Sequence, residues 1–309
     1  MEPVDLHIIT GQTAGGKSAV AFELARRIGT EIISADSMKI YRGMDVGTAK
    51  PSARKRESVE YHLLDVASPG EDFSAAKFVE LADAAIAEVA SKGLPVLVEG
   101  GTPLYIKVLT EGMFSGPERD PALRAKLKER AALEGVESLY AELGKTDPDA
   151  ASHINPTDLR RIIRALEVHH KTGRKISELQ SQFGGRRPEY RRRIVALRRD
   201  RDELRTRIEE RIWRMFEWGL LEEVKSLAGA NLGKTAAQAI GYREAARLLA
   251  GEIDEAEARE EMRRRTWMLA RRQMTWLKSF PDILFYDITP GEPVEETTSA
   301  VGRILGLLE

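Results

Sequence analysis

Gly11-Gln12-Thr13-Ala14-Gly15-Gly16-Lys17-Ser18 is the stretch on which the reading of this chain turns. It fits G-x-x-x-x-G-K-[ST], with the apolar run Asp5-Leu-His-Ile-Ile-Thr10 before it and helically spaced apolar residues, Ser18 to Ile28, after it. Strand, loop and helix in that order are what phosphate binding requires. Glycines let backbone N–H groups wrap phosphate oxygens, and the helix N-terminus adds a positive dipole end. Lys17 supplies a cation, and the Ser18 hydroxyl is a ligand for Mg²⁺. The four fixed positions arise by chance in roughly one chain in a hundred of this length, and the flanking pattern makes a ligand-free tight turn rarer still. The motif states that a di- or triphosphate binds. It does not choose between hydrolysis, phosphoryl transfer and departure of diphosphate as a leaving group.

Working outward, Glu31 to Ala35 reads as a second strand ending at Asp36, and Ser74 to Ala90 as an amphipathic helix. A third strand, Pro95 to Glu99, runs into Gly100-Gly101-Thr102. Strands alternating with helices imply an α/β fold, a parallel sheet flanked by helices, with ligands at the carboxyl ends of the strands. Those ends deliver the glycine loop, Asp36 and Thr102. Asp36 suits a metal-holding acid, a base facing substrate, or a cap on the next turn. From Ser115 to Gln182 the strand signal disappears, leaving helices at Pro121 to Leu133, Val136 to Leu143 and Pro156 to Thr172. The expected organisation is therefore a core of residues 1–114 and 186–309 with an all-helical insertion domain at 115–185. Arg193 to Leu197 reads as a returning core strand. Asp202 to Leu227, Thr235 to Ala250 and Asp254 to Leu277 follow as helices, and Ile283 to Tyr286 as a last strand.

The 309 residues contain no Cys, which removes disulfides, thiolate zinc sites, iron–sulfur ligation and a cysteine nucleophile together. Glu2, Asp5 and His7 break up what a signal peptide would need as its apolar region, and no run reaches the roughly 18 apolar residues of a membrane helix, so a cytoplasmic protein without membrane contact is expected. The net charge is −1, yet between Arg160 and Arg214 18 Lys and Arg stand against 8 Asp and Glu. Such an excess is a solvated helix surface or a face for a polyanion. Within it Arg161 and Arg164 share one helix face, with Asp158 and Glu167 as nearby ion-pair partners. The helical spacing of Trp213, Phe216, Trp218, Trp267 and Trp276 assigns most of them to the core.

Taken in order, GQTAGGKS, ISADSMKIYRGMDVGTAKP (33–51), HLLD (62–65), FSAAKF (73–78), VEGGTPLYIKVLTEG (98–112), LRRIIRALEV (159–168), RIEERIWRMFEWGLLEEV (207–224), AIGYRE (239–244) and RRQMTWLK (271–278) resemble the tRNA dimethylallyltransferases, across almost the whole chain. The resemblance implies a P-loop kinase-like core carrying a helical insertion. It implies transfer of a dimethylallyl group from dimethylallyl diphosphate to N6 of adenine-37, beside the anticodon, with Mg²⁺ as cofactor. Gly11 to Ser18 would hold the diphosphate, with Mg²⁺ on Ser18, and Asp36 would be the general base. Thr102 would position the diphosphate and adenine, and Arg211 would reach the leaving group. Asp36, Ser37, Met38 and Lys39, with Thr102 and with Arg160, Arg161, Ile162, Ile163 and Arg164, would touch the tRNA anticodon stem-loop. The missing Cys/His zinc element resembles a bacterial form, expected to be monomeric. The chain departs from the family pattern at Gln12, Gly15, Lys39 and Glu99.

The chemistry implied is coherent. The lone pair of an adenine N6 amine is delocalised into the ring, so a carboxylate must take its proton as the C–N bond forms. Departing diphosphate calls for fixed N–H dipoles and cations. The other readings are an adenylate isopentenyltransferase acting on free AMP or ATP, a small-molecule kinase, and a non-catalytic RNA-binding ATPase.

Overall fold

The computed structural model describes residues 2–113, 116–180, 187–227, 229, 232–233 and 235–309. The chain divides into two compact units, Met1–Thr110 with Pro188–Glu309, and Glu111–Arg187. The boundaries expected at 114/115 and 185/186 fall outside the described residues.

The first unit opens with β1 (Val4–Gly11), α1 (Lys17–Ile28), β2 (Ile32–Ser34), α2 (Ala53–Ser58), β3 (Tyr61–His62), α3 (Ala75–Ser91), β4 (Val96–Glu99) and α4 (Pro103–Glu111). In the second unit lie α5 (Pro121–Glu134), α6 (Val136–Thr146), α7 (Pro148–His153), α8 (Leu159–Thr172) and α9 (Ile176–Gln180). The first unit resumes with β5 (Tyr190–Arg199), α10 (Arg201–Glu217), α11 (Leu220–Leu227), α12 (Tyr242–Leu249), α13 (Glu255–Leu277), β6 (Ile283–Ile288) and α14 (Val294–Leu305).

The sheet has six strands in the order β3-β2-β4-β1-β5-β6, and every pairing is parallel. Its central strands are apolar and buried, as in β4 (Val96, Leu97, Val98) and β5 (Ile194 to Leu197), because helices cover both faces of a parallel sheet. Against one face pack Val20, Leu24, Val301 and Leu305 from α1 and α14. The order sets β4 between β2 and β1, so Asp36, Glu99 and the glycine loop emerge at one end of the sheet.

Two helices are shorter than periodicity indicates. The helix expected from Asp202 to Leu227 breaks after Glu217, because Gly219 takes φ +91°. The one expected from Thr235 begins at Tyr242, after Gly241 at φ +98° and a short 3₁₀ turn at Ala236–Gln238. In the second unit α8 starts at Leu159, where the Asp158 side chain accepts the Arg161 N–H. Leu127, Leu139, Leu143, Ile162, Ile163 and Leu166 form that unit's core. No described helix is long and apolar enough to cross a membrane.

Candidate active site

The glycine loop is held from outside. Arg207 Nε donates to the Ala14 carbonyl at 2.9 Å, and Arg199 Nε to the Gly15 carbonyl at 3.0 Å. In a trans peptide the C=O and the following N–H point opposite ways. Pulling the Gly15 carbonyl toward Arg199 therefore turns the Gly16 N–H into the loop. Ala14 sits at φ +59°, a left-handed conformation costing a side chain about 1–2 kcal/mol, and the loop retains it because Arg207 fixes its carbonyl. The Gly15 N–H is spent on the Gln12 carbonyl, 3.0 Å away. The N–H groups of Gly16, Lys17 and Ser18, at the open end of α1, have no backbone acceptor among the described residues and remain for an anion.

Loop and strand ends are tied by α13. Its buried stripe, Ala258, Met262, Thr266, Ala270, Gln273 and Leu277, carries one amide. Gln273 Oε1 accepts the Thr13 N–H at 2.7 Å, and its Nε2 donates to the Gly101 carbonyl at 2.6 Å. A Cβ on Gly100 would overlap the Ala35 carbonyl, and one on Gly101 would press within 3.0 Å of Lys17 Nζ. The paired glycines thus let the end of β4 reach both β2 and the loop lysine.

Asp36 is half-buried. Its Oδ1 accepts the Met38 N–H at 2.9 Å, so one oxygen caps the turn after β2. The carboxylate also lines a cavity of about 640 Å³, together with Thr13, Lys17, Ser18, Thr102 and Arg211. Thr102 Oγ1 accepts the Ser37 N–H at 2.9 Å and donates to Ser37 Oγ at 3.2 Å, locking the Asp36 turn to the start of α4. Arg211, on α10, donates through Nη1 to Thr13 Oγ1 at 3.1 Å. Burial draws its guanidinium below the usual value, and nearby Asp36 and Glu99 pull back. Burial likewise lowers Lys17, with Glu99 opposing the shift and Lys39 adding to it. Both cations therefore gain from a bound anion that replaces lost hydration.

Beside them lies a group that joins Lys39 and Glu99, two residues that the sequence resemblance set apart. Ser18 Oγ donates to Glu99 Oε1 at 2.8 Å, while Lys39 Nζ stands 3.1 Å from Ser18 Oγ and 3.3 Å from Glu99 Oε2. Lys39 is 5% exposed and Glu99 1%. A hydroxyl and a carboxylate are the hard oxygen donors that suit Mg²⁺, so the donor chemistry fits the ion. The Lys39 ammonium spans both donors.

Of the loop residues, Thr13, Ala14, Gly16, Lys17 and Ser18 line the cavity, as do Ser37, Met38 and Lys39. Gly11, Gln12 and Gly15 do not: Gly11 is packed on the Leu197 backbone, and the Gln12 carbonyl is turned to the Gly15 N–H. The α8 residues divide by helix face. Arg160 and Arg161 are exposed, with Arg161 paired to Asp158 at 3.3 Å. Ile162 and Ile163 are core, 0% and 3% exposed, so of the five consecutive residues expected at the RNA these two turn their side chains inward, as a helix requires of part of any such run. Arg164 is bound to Glu167 at 2.6 Å and to the Pro117 carbonyl at 3.1 Å.

Part of the basic segment is paired in place. Arg191 pairs with Asp5 at 2.8 Å, Arg198 with Asp287, and Arg199 with Glu203. The tryptophans also differ from expectation: Trp213, Trp218 and Trp276 are 55%, 66% and 38% exposed. The sequence reading missed Gln273, Arg199 and Arg207. The signal for Gln273 was present, an amide on an otherwise apolar and small-residue stripe of α13; none existed for the two arginines, whose partners are backbone carbonyls. The AIGYRE segment, left without a role, braces a loop. Glu223 accepts the N–H groups of Asp45, Val46 and Gly47 at 2.7, 2.8 and 3.1 Å, and Tyr242 donates its hydroxyl to the same carboxylate.

A family profile described as IPP transferase matches residues 39–280. A tRNA dimethylallyltransferase of an Anaeromyxobacter species is 48% identical over 275 residues, 88% of this chain and 91% of the relative. Another, from Geobacter metallireducens, is 44% identical over 293 residues, 94% of each chain. The crystal structure of a tRNA isopentenylpyrophosphate transferase from Bacillus halodurans superposes with a TM-score of 0.70 at 34% identity, covering 98% of this chain and 97% of the other. A eukaryotic dimethylallyltransferase solved acting on tRNA gives 0.82 at 25% identity, covering 99% and 80%. The chain belongs to the IPP transferase family.

Proposed function

We propose that this chain transfers the dimethylallyl group of dimethylallyl diphosphate to N6 of adenine-37, next to the anticodon of tRNA, and releases diphosphate. The observation that carries the reading is the shared cavity, which sets an anion cradle and the Asp36 carboxylate on the same walls.

The diphosphate lies on the Gly16, Lys17 and Ser18 N–H groups at the end of α1, with Lys17 and Arg211 as its cations. Ile208, Ile212, Met215 and Met262 make part of the same lining and suit a five-carbon chain and the face of a purine. The C1–O bond to the diphosphate breaks as N6 attacks C1, and charge grows on the departing oxygen, toward which the N–H groups and cations are already turned. The proton leaving N6 goes to the Asp36 carboxylate, whose Oδ1 is fixed by the Met38 N–H. Thr102 acts through Ser37, holding that turn in register. Ser18 Oγ and the Glu99 carboxylate are the groups that would hold Mg²⁺, which would share the charge on the diphosphate. The target base must leave the anticodon stack, at a cost of a few kcal/mol.

Relatives named for tRNA favour it over free AMP or ATP as acceptor. The test is incubation with dimethylallyl diphosphate and either tRNA or AMP, followed by mass spectrometry. A mass gain on the anticodon-loop adenine is expected. Gain on AMP alone, or phosphate transfer from labelled ATP, would overturn the reading.

A further inference from the structure

The Lys39–Ser18–Glu99 group raises a question that the transfer reaction does not answer. A phosphate-binding loop ordinarily leaves its serine hydroxyl for a divalent ion that bridges loop and phosphate. Here that hydroxyl is engaged twice, donating to Glu99 Oε1 at 2.8 Å and standing 3.1 Å from Lys39 Nζ. The ammonium is anchored on its other side by Glu99 Oε2 at 3.3 Å. Lys39 and Ser18 both line the cavity. The side chains of the pair are 6% and 2% exposed. An unpartnered buried lysine would be costly, and an unpartnered glutamate at the anion cradle would repel a diphosphate. Together they form a near-neutral pair that holds the Lys39 ammonium against the loop serine.

We propose that Lys39 is a built-in cation for the diphosphate, sharing with Mg²⁺ the place between Ser18 and Glu99 and allowing the diphosphate to be held without the ion. The proposal rests on the reading of the loop as a diphosphate cradle. Lys39 Nζ stands 3.1 Å from the loop hydroxyl on the cavity wall, and its ammonium has three N–H directions, of which Ser18 and Glu99 occupy two. The third is available to a phosphate oxygen. Glu99 orients the ammonium and keeps the group near neutral before substrate arrives. Arg211, held on Thr13, is a separate cation.

The test is calorimetric binding of inorganic pyrophosphate to the full chain, in excess EDTA and in millimolar Mg²⁺. It compares the native chain, Lys39→Gln, and the double substitution Lys39→Gln with Glu99→Val, which removes both charges so that neither is left buried alone. The native chain is expected to bind pyrophosphate in EDTA within about tenfold of its affinity in Mg²⁺. Both variants should lose a further factor of about ten to a hundred in EDTA, the worth of one charge-assisted hydrogen bond, and recover it when Mg²⁺ is supplied. An equal dependence on Mg²⁺ in all three proteins overturns the role of Lys39 and leaves the cradle intact. Failure of the native chain to bind pyrophosphate in either buffer overturns the cradle itself. Thermal melts of the three proteins identify a variant that has merely unfolded, and the double substitution then decides.

Discussion

Replacing Asp36 by Asn separates the two tasks that the structure gives this side chain. Oδ1 accepts the Met38 N–H at 2.9 Å and, more weakly, the Lys39 N–H at 3.4 Å. An Asn oxygen can accept the same bonds, so the turn after β2 should persist, while the amide cannot take a proton from N6. General-base catalysis contributes about 10²- to 10⁴-fold, which corresponds to about 3 to 5 kcal/mol of barrier. Single-turnover transfer from labelled dimethylallyl diphosphate to saturating tRNA should therefore slow by that factor in Asp36→Asn, with tRNA affinity and melting temperature close to native. Asp36→Ala removes the cap as well, worth about 1 kcal/mol, and should lower the melting temperature by a further couple of degrees, about the shift that such a loss gives in a chain of this size. A single-turnover rate for Asp36→Asn within tenfold of native would refute the assignment: the carboxylate would then be a turn cap alone, and the base would have to be sought elsewhere on the cavity wall.

Other consequences follow from the contacts. Arg211→Met should lower the transfer rate by about 10² to 10³ in the single-turnover assay while leaving tRNA affinity in filter binding unchanged; a loss of affinity alone would place Arg211 on the RNA and not on the leaving group. Gln273→Leu strands the Thr13 N–H and the Gly101 carbonyl, at about 1–3 kcal/mol each, so both the denaturant midpoint and pyrophosphate affinity should fall, and an unchanged pyrophosphate affinity would show that the bridge does not shape the cradle. Arg160→Ala should weaken tRNA binding and reduce the slope of log K against log salt by about 0.7 to 0.9, and an unaltered slope would exclude a phosphate contact there. Burial pushes the Glu167 carboxyl up, but hydrogen bonds from Arg124, the Asp120 N–H and Arg164 outweigh it and hold it at about 2. A depressed carboxylate stabilises the fold above its unfolded value of about 4.5 and loses that contribution as the pH falls toward 2, here about 3 kcal/mol. Hydrogen-exchange protection of the α5–α8 amides, taken relative to the intrinsic rate at each pH, should fall across that window in the native chain and much less in Glu167→Gln.

How far the sequence carries depends on whether partners are local. The glycine loop, the ends of β2 and β4 and the order of helices could be read directly, because a strand, its turn residues and the following helix are consecutive and each pattern reports its own backbone. The same reasoning overran Gly219 and Gly241, since apolar spacing continues across a glycine that takes positive φ while the chain changes direction. It also mistook exposed tryptophans for core: α10 and α13 are amphipathic, but which arc of each helix is buried is settled by neighbours that periodicity does not name. The buried arc of α10, Leu204, Ile208, Ile212 and Met215, leaves Trp213 outside.

For the site, the residues that touch substrate in the proposed reaction were legible and those that hold them were not. Lys17, Ser18 and Asp36 sit in short motifs whose chemistry is local, and Thr102, which holds the Asp36 turn, follows a glycine pair that marks it. Gln273 reaches Thr13 across 260 positions, and Arg199 and Arg207 act on carbonyls, which every residue possesses and no motif marks. Lys39 and Glu99 lie between these extremes. The resemblance marks each as a departure, and each taken alone introduces an unwanted charge: Glu99 beside a diphosphate, Lys39 in a buried turn. At 3.3 Å the two departures become one, and the sign of the prediction reverses. A glutamate that repels the leaving group by itself becomes, with the lysine it anchors, the support of a cation that attracts it. Glu99→Val made singly should therefore be worse for stability than the double change, because it leaves the Lys39 ammonium buried with a single hydroxyl for company.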